Sequence, residues 1–237
     1  TAFITCAFNN GKTFAYRMQG AAEWKAGEEY TYTVSLAAAE DPGYTIEGDG
    51  SYTVTTDDGL RNVAKLVNEE GKTDIDITLT GDITLTGEWT PIGTESRPYT
   101  GTFDGGTYTI TGLTVNQTRE NVGLIGCIGS NGTVKNVKLE NVNITGDGYF
   151  VGGVAGTNYG TIENCSVDGT LTNNRHYLGG VVGNNYGSII GCSSSGTITG
   201  TSPNVGGIGG QSVGGTIMAC YSVANIKGRS SSGGVLG

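Results

Sequence analysis

The stretch Val-Gly-Gly-Val-Ala-Gly at residues 151–156 decides the fold, because it returns at a constant step along the chain. Its later copies are Leu-Gly-Gly-Val-Val-Gly at 178–183, Val-Gly-Gly-Ile-Gly-Gly at 205–210 and Ser-Gly-Gly-Val-Leu-Gly at 232–237, each 27 residues after the one before. An earlier variant, Asn-Val-Gly-Leu-Ile-Gly, occupies 121–126. A repeat of this length is typical of a solenoid, in which each unit buries its apolar side chains against its neighbours.

Three sets of apolar residues recur with the same step. They are Val154, Val181, Ile208 and Val235; Val134, Ile162, Ile189 and Ile217; and Ile144, Leu171, Ile198 and Ile226. Each is flanked by small or polar residues in a period of two, as in short β-strands. Stacking of identical units would bury all three columns at once and pair every strand. The sequence therefore predicts an all-β fold, a parallel β-helix (β-solenoid) with one coil per ~27–28 residues.

Three of the 5 cysteines follow the same step. Cys165, Cys192 and Cys220 continue a column that begins with Val137. A metal-binding or redox-active ladder is one interpretation, and a column of small buried hydrophobes is the other. The valine in the first position favours the second, so we expect buried free thiols. Cys127 aligns with the polar residues Thr157 and Asn184, which predicts a more accessible thiol.

The residues before the regular repeats divide into segments with different predicted secondary structure. Residues 1–50 predict a small antiparallel β segment that fits part of a β-sandwich, with a hairpin signal at Asn9-Asn10-Gly11 and an alternating strand at 30–34 after Trp24. Residues 51–72 predict an N-terminal cap built on an amphipathic helix at 57–69. We expect the first coils at 73–120 and the regular repeats at 121–237, with further repeats beyond residue 237 in the natural protein.

Composition argues against several classes of function. The formal charge is −9 and the 13 basic residues are scattered, which predicts no nucleic-acid partner. No apolar run reaches the ~18 residues of a membrane span, so we expect no membrane insertion by this chain. The single histidine, His176, excludes a two-histidine zinc peptidase site. Gly-Gln-Ser-Val-Gly at 210–214 matches a hydrolase pattern, but Gly210 belongs to the repeat. We expect no catalytic residues, metal or cofactor, and a monomer.

Several stretches outside the glycine motif carry a family resemblance. They are Glu-Trp-Thr-Pro-Ile-Gly at 88–93, Tyr-Thr-Gly-Thr-Phe-Asp-Gly at 99–105 and Gly-Thr-Ile-Glu-Asn-Cys at 160–165. With them, residues 51–237 resemble the GLUG-repeat region of bacterial surface proteins, and residues 1–45 are faintly similar to a fimbrillin-type domain from Bacteroidetes. The resemblance implies a secreted or cell-surface location with an adhesive or carbohydrate-related role. It also implies that some relatives carry a metallopeptidase domain beside the repeats.

One candidate ligand site departs from the repeat. Tyr149 and Phe150 align with His176 and Tyr177, and Arg175 lies beside them. Aromatic side chains on neighbouring coils offer a large contact area to sugar rings, whereas the alternative is that they only cover the loops. We therefore expect a non-catalytic adhesin or binding module on the bacterial surface, with a glycan or a host surface protein as partner. The other hypothesis is an accessory region of a larger carbohydrate-active enzyme or metallopeptidase.

Two further outward patterns are visible in the repeats. Tyr159 aligns with Tyr186, which predicts a second aromatic pair. The pair Thr170 and Thr172 aligns with Thr197 and Thr199, a pattern similar to the flat threonine arrays that bind ice. Asparagine and lysine interrupt this array at 143, 225 and 227, and threonine is a common outward residue of strands.

Overall fold

The structure is a computed structural model that describes residues 3–7, 13–17, 41–201 and 203–237, with side chains described from residue 41 onward except that of Gln117. The chain forms two compact units, residues 1–40 and residues 41–237. In the first, β1 (Phe3–Ala7) pairs antiparallel with β2 (Thr13–Arg17), as the hairpin signal predicts. The turn at 9–11, Trp24 and the expected strand at 30–34 lie outside the described residues.

The second unit begins with a hairpin and a helix. β3 (Tyr44–Ile46) pairs antiparallel with β4 (Tyr52–Val54), which joins the first coil strand in parallel. The expected segment 1–50 therefore includes ten residues, 41–50, that belong to the second unit. The helix α1 (Asp57–Asn68) follows, and its N-cap Thr56 accepts a hydrogen bond from the Gly59 amide at 3.1 Å.

Helix α1 lies against the first coil, as expected of the cap. It buries one apolar face, formed by Leu60, Val63, Ala64, Leu66 and Val67. From its other side Arg61 donates hydrogen bonds to the carbonyls of Thr86 and Glu88, at 2.6 and 2.8 Å. Asn68 donates to the carbonyl of Pro91 at 3.0 Å. These bonds fix the helix on the coil and satisfy carbonyls that have no strand partner.

The remaining strands wind as successive coils. They are β5 (Ile77–Leu79), β6 (Ile83–Thr84), β7 (Thr102–Asp104), β8 (Thr109–Thr111), β9 (Thr114–Gln117), β10 (Ile125–Ile128), β11 (Thr133–Lys135), β12 (Lys138–Gly146), β13 (Ala155–Asn158), β14 (Thr161–Glu163), β15 (Ser166–Asn173), β16 (Leu178–Gly179), β17 (Val182–Asn185), β18 (Ser188–Ile190), β19 (Ser193–Gly200), β20 (Val205–Gly206), β21 (Gly209–Ser212), β22 (Thr216–Met218), β23 (Tyr221–Ser222), β24 (Asn225–Lys227) and β25 (Ser232–Gly233). Each of them pairs in parallel with at least one neighbouring coil, and those in the middle of the solenoid pair on both sides. The parallel β-helix is confirmed.

The strands of the coils form four parallel sheets, and we call the three largest faces A, B and C. Face A contains β10, β13, β17 and β21, and face B runs from β4 through β5, β7, β11, β14 and β18 to β22. Face C contains β6, β8, β9, β12, β15, β19, β23 and β24. A fourth, narrow sheet consists of β16, β20 and β25, and the bridges of Val151 to Val122 and to Leu178 extend it.

The predicted apolar columns form the core. Ile162 lies opposite Ile189, Leu171 lies opposite Ile198, and all four are fully buried. Each strand continues the column of the coil before it, so like residues stack on like. The members in the last coil are more exposed, with Val235 at 39%.

The glycines of the repeated motif allow face A to pack on the fourth sheet. A Cβ atom added to Gly183 would overlap the backbone of Phe150 and Val151, which belong to the preceding coil. The equivalent Gly156 would overlap Asn121 and Val122 in the same way. Two sheets therefore meet backbone to backbone along this side of the solenoid. Any larger residue would force them apart.

The cysteine column is buried and unpaired, as expected. Cys165 and Cys192 are buried and Cys220 is half-buried, and all three are free thiols. The amide of Cys165 donates to the Sγ of Cys192 at 3.4 Å, and the amide of Cys192 donates to the Sγ of Cys220 at 3.3 Å. The hydrogen bond with Cys192, together with burial, raises the pKa of the Cys165 thiol well above its ordinary value.

The expectation of an accessible Cys127 is wrong. Cys127 is 1% exposed, and the polar residues with which it aligns, Thr157 and Asn184, are also buried, at 4% and 2%. The bridges of Ile92 and Tyr99 place the preceding rung against β10. The amide of Tyr99 donates to the Cys127 carbonyl at 2.9 Å. Burial, together with the negative charge of Glu95, raises the pKa of the Cys127 thiol to about 11. This thiol is therefore protonated and shielded at neutral pH.

The glycine contact gives a stability prediction. Replacing Gly183 by Ala should lower the free energy of unfolding by roughly 1–3 kcal/mol, because the new methyl group has no space between the sheets. The matched control is Gly48→Ala, where nothing lies within 4 Å of an added Cβ. We expect the control to change stability by less than about 0.5 kcal/mol. Urea denaturation of both variants measures the difference, and equal stabilities would contradict the backbone contact.

Candidate ligand-binding ridge

Two successive loops follow face C, and a buried asparagine joins them. β12 ends at Gly146 and β15 ends at Asn173, which lie opposite each other in the ladder. The Asn173 amide group donates to the carbonyls of Gly148 and His176, at 3.1 and 2.9 Å, while its Oδ1 accepts from the Arg175 amide at 3.1 Å. One side chain thus fixes the backbone of both loops.

The five predicted site residues come together on these loops, and we call them the aromatic ridge. Tyr149 stacks on His176 with ring centroids 5.7 Å apart and planes 11° apart. Phe150 stacks on Tyr177 at 5.4 Å and 21°. Tyr149 is 39% exposed, and Phe150, His176 and Tyr177 are half-buried. Each ring therefore contacts a partner ring on the neighbouring loop, and Tyr149 is the most exposed of the four.

Arg175 of the ridge and the neighbouring Asp147 place charged groups beside the rings. The guanidinium carbon of Arg175 lies 5.8 Å from the Tyr149 ring centroid, and its Nε lies 3.6 Å from Oδ1 of Asp147. Both side chains of this ion pair are about half exposed, at 51% and 49%. An ion pair in such an exposed position is weak, so a ligand anion or hydroxyl can replace Asp147 as the partner of Arg175.

The other sequence-level candidates do not form a catalytic site. Ser212 lies in β21 of face A, where its Oγ accepts from Asn185 at 3.3 Å and donates to the Gly215 carbonyl at 3.4 Å. The hydrolase pattern at 210–214 is thus part of the coil. In the part of the chain that the structure describes, no three His, Cys, Asp or Glu side chains converge to hold a metal ion. None of its helices is long and apolar enough to cross a bilayer.

Sequence comparison assigns a family motif to the two coils that carry the ridge. Residues 147–172 and 174–199 match the family model described as the GLUG motif. The chain contains GLUG repeats. Tyr149 and Phe150 belong to the first matched repeat, and Arg175, His176 and Tyr177 belong to the second. The fimbrillin-like resemblance of residues 1–45 stays a prediction.

Two curated relatives are similar to part of this chain. A protein of Evansella cellulosilytica, provisionally described as a Gly-rich membrane protein, is 38% identical over 127 residues, which cover 51% of this chain and 15% of the relative. Halomucin of Haloquadratum walsbyi is 43% identical over 74 residues, which cover 31% of this chain and 1% of the relative. The chain thus spans a small part of both relatives.

One solved structure is also similar. It is the crystal structure of a protein from Bacteroides ovatus that is provisionally described as an immunoglobulin A1 protease. The sequence identity is 17% and the TM-score is 0.49, over 79% of this chain and 80% of that chain.

Tyr177 has a backbone conformation that is unusual for its residue type. Its φ is 58°, in the left-handed region. At the equivalent position of other coils the chain has Asn121, Asn204 and Ser231, with φ values of 60°, 69° and 47°. Asparagine tolerates this region, whereas a bulky residue there is strained. Phe150, which aligns with Tyr177 in the coil before, does not have a positive φ, so Tyr177 is the one bulky residue that keeps the backbone conformation of the asparagine positions.

The sequence analysis did not predict that Asn173 fixes the two ridge loops, although its position in the repeat could have indicated it. In the face C ladder Asn173 lies between Gly146 and Gly200, so it is a polar residue flanked by glycines in its column. It is also fully buried, which a polar side chain tolerates only with hydrogen-bond partners. A buried amide at the end of the strand before the ridge indicates a positioning role.

The second aromatic pair is outside the ridge. Tyr159 and Tyr186 stack with centroids 4.8 Å apart and planes 6° apart, and they are 41% and 40% exposed. Beneath them Asn158 donates to Oδ1 of Asn185 at 2.8 Å. The pair follows the regular ladder between faces A and B, so its stacking follows from the repeat itself.

The asparagine that joins the ridge loops gives a second prediction. Replacing Asn173 by Ala should lower the free energy of unfolding by roughly 1–3 kcal/mol, because two carbonyls and one amide lose their partner. Asn143→Ala is the matched control, since Asn143 lies exposed on the same face. We expect a change within about 0.5 kcal/mol for the control. Thermal denaturation followed by circular dichroism measures both, and an unchanged Asn173→Ala variant would contradict the joining role.

Proposed function

We propose that this chain is a non-catalytic module of a microbial cell-surface or secreted protein, and that its aromatic ridge binds a glycan. The names of the two curated relatives, a Gly-rich membrane protein and a halomucin, support a location at the cell surface. Because the chain matches small parts of those proteins, a cell-surface location is a proposal for this chain.

The observation that carries the proposal is the strained Tyr177 in a stacked aromatic cluster. Strained backbone persists where the surrounding structure enforces it, and such residues concentrate at ligand sites. The coil does not need this ring, because Asn204 occupies the equivalent position with the same backbone conformation. A tyrosine at a position that asparagine occupies in other coils supports a role for the ring at the surface.

The chemistry of the ridge suits a sugar. Phe150 and Tyr177 supply apolar rims for the C–H groups of a pyranose ring, and the Tyr149 hydroxyl and the His176 imidazole supply hydrogen-bonding groups. Arg175 adds a planar cation that binds vicinal hydroxyls or the carboxylate of an acidic sugar. The five ridge residues include no carboxylate and no nucleophile paired with a base, so they support binding and not hydrolysis.

The accessory-region hypothesis uses the same site in a different context. If a catalytic domain is linked to these repeats, the ridge would hold that domain on its substrate. The sequence of the complete gene product separates this hypothesis from an adhesin, because only the first requires a catalytic domain.

The proposal predicts a separation between binding and stability. Replacing Tyr177 by Asn should abolish glycan binding and change the free energy of unfolding by less than about 1 kcal/mol, because relief of backbone strain offsets the lost stacking. Binding is identified on a glycan array with the full chain and then measured by calorimetry for the glycans that bind.

Tyr186→Asn is the matched control, because it removes the same side chain from the stacked pair outside the ridge. The control should retain the affinity of the unaltered chain. Unchanged affinity in Tyr177→Asn, or equal loss in both variants, would refute the ridge as the binding site.

A further inference from the structure

The C-terminal half of face C carries two outward columns that neither the core nor the ridge uses. β9, β12, β15, β19 and β24 pair in one continuous register there. The outward residues are Thr114, Asn143, Thr170, Thr197 and Asn225 in one column and Asn116, Thr145, Thr172, Thr199 and Lys227 in the other. We call these ten residues the threonine–asparagine array. It has one more rung, that of Thr114 and Asn116, than the repeat alone indicates.

The residues between the two columns anchor the array. Val115, Ile144, Leu171 and Ile198 point inward and are fully buried. Because side chains alternate along a strand, the columns on either side must point outward. In-register stacking places neighbouring rungs ~4.8 Å apart and the two columns roughly 7 Å apart, so the array extends over about 20 Å of the solenoid.

The polar groups of the array are available to a ligand. All ten side chains are exposed or half-buried. Thr114 donates a hydrogen bond to the Gly112 carbonyl at 3.2 Å, and no other array side chain bonds to a residue that the structure describes. Nine of the ten side chains are uncharged, and the exception is Lys227. The surface therefore offers a regular field of donors and acceptors with little charge.

We propose that the threonine–asparagine array binds a neutral, extended polysaccharide. A flat field of short polar side chains does not enclose a small ligand, so useful affinity requires many weak contacts along a polymer. Sugar hydroxyls both donate and accept, which matches the mixture of threonine hydroxyls and asparagine amides. That mixture is a poor match for ice, whose surface repeats a single chemical group. The array extends the proposed function to a second surface, and it relies on that proposal only for the class of ligand.

The ridge lies at the edge of the array. β15 contributes Thr170 and Thr172 and ends at Asn173, whose amide fixes the loop that carries Arg175 and His176. A polymer on the array would thus run beside the ridge on the same side of the solenoid. The ridge is suited to bind one sugar residue, and the array is suited to contact several successive sugar residues of a polysaccharide.

The test is adsorption of the full chain to microcrystalline cellulose and to chitin, two neutral insoluble polysaccharides. The double variant Thr172→Lys and Thr199→Lys should lower the affinity for at least one of them tenfold or more. Lys227 occupies the same column, so the fold accommodates lysine there. The control is Thr133→Lys and Thr161→Lys, an adjacent outward pair on face B. It should adsorb as the unaltered chain does, and thermal denaturation should show both variants folded.

Several outcomes would overturn the array as a polysaccharide site. They are no adsorption of the unaltered chain to either polymer, equal loss in the two double variants, complete competition by cellobiose or chitobiose, and adsorption to ice in preference to both polymers. The Tyr177→Asn variant separates this proposal from the previous one. Tyr177→Asn should adsorb to the polymer as the unaltered chain does. This result is expected whether or not the ridge of the unaltered chain binds a soluble glycan.

Discussion

Backbone packs directly on backbone along one side of every regular coil, and the rest of the structure depends on that contact. Gly156 and Gly183 leave space for the fourth sheet of the preceding coil, as does Gly210 in the next coil. Because a side chain at any of these positions would separate the two sheets, the motif must return whenever the chain completes a coil. The constant step then aligns the apolar columns, and their burial supplies most of the favourable free energy of folding.

The same constraint explains where function can be placed. The coil fixes the ends of each loop and leaves the residues within it free to vary. Two adjacent loops use this freedom to present the aromatic ridge, held from below by Asn173. The outward side chains of face C can also vary, because the pairing of the strands uses backbone groups and does not depend on these side chains. The two surfaces that we propose for binding are therefore a local departure from the repeat and a regular set of outward columns.

Much of this organisation could be predicted from the sequence because it follows from periodicity. Ile162 and Ile189, or Leu171 and Ile198, are neighbours in space since they are separated by one step. Periodicity does not report whether a polar column is exposed. Cys127 aligns with Thr157 and Asn184, and all three are buried, so the polarity of the two aligned residues gave the wrong exposure. The antiparallel pairing of β3 has no counterpart in the repeats and was not predicted from them.

The conformation of Tyr177 shows a different limit. Its alignment with Asn121 and Asn204 was visible, and asparagine at a recurring position indicates left-handed backbone. An alignment reports which residues are equivalent, but it does not show whether a tyrosine keeps the same φ or lets the loop change. That depends on packing around the ring, here the stacking on Phe150 and the loop held by Asn173.

Native-state amide hydrogen exchange tests the central claim most directly. The amides of Val154, Val181 and Ile208 donate to the carbonyls of Val181, Ile208 and Val235, each at 2.9 Å, and they lie where the motif brings the sheets into contact. If stacking through the glycine columns holds the coils together, the amides of Val154 and Val181 should exchange only through cooperative unfolding, with similar free energies of opening. Rapid, independent exchange at these two amides in the folded protein would contradict the account.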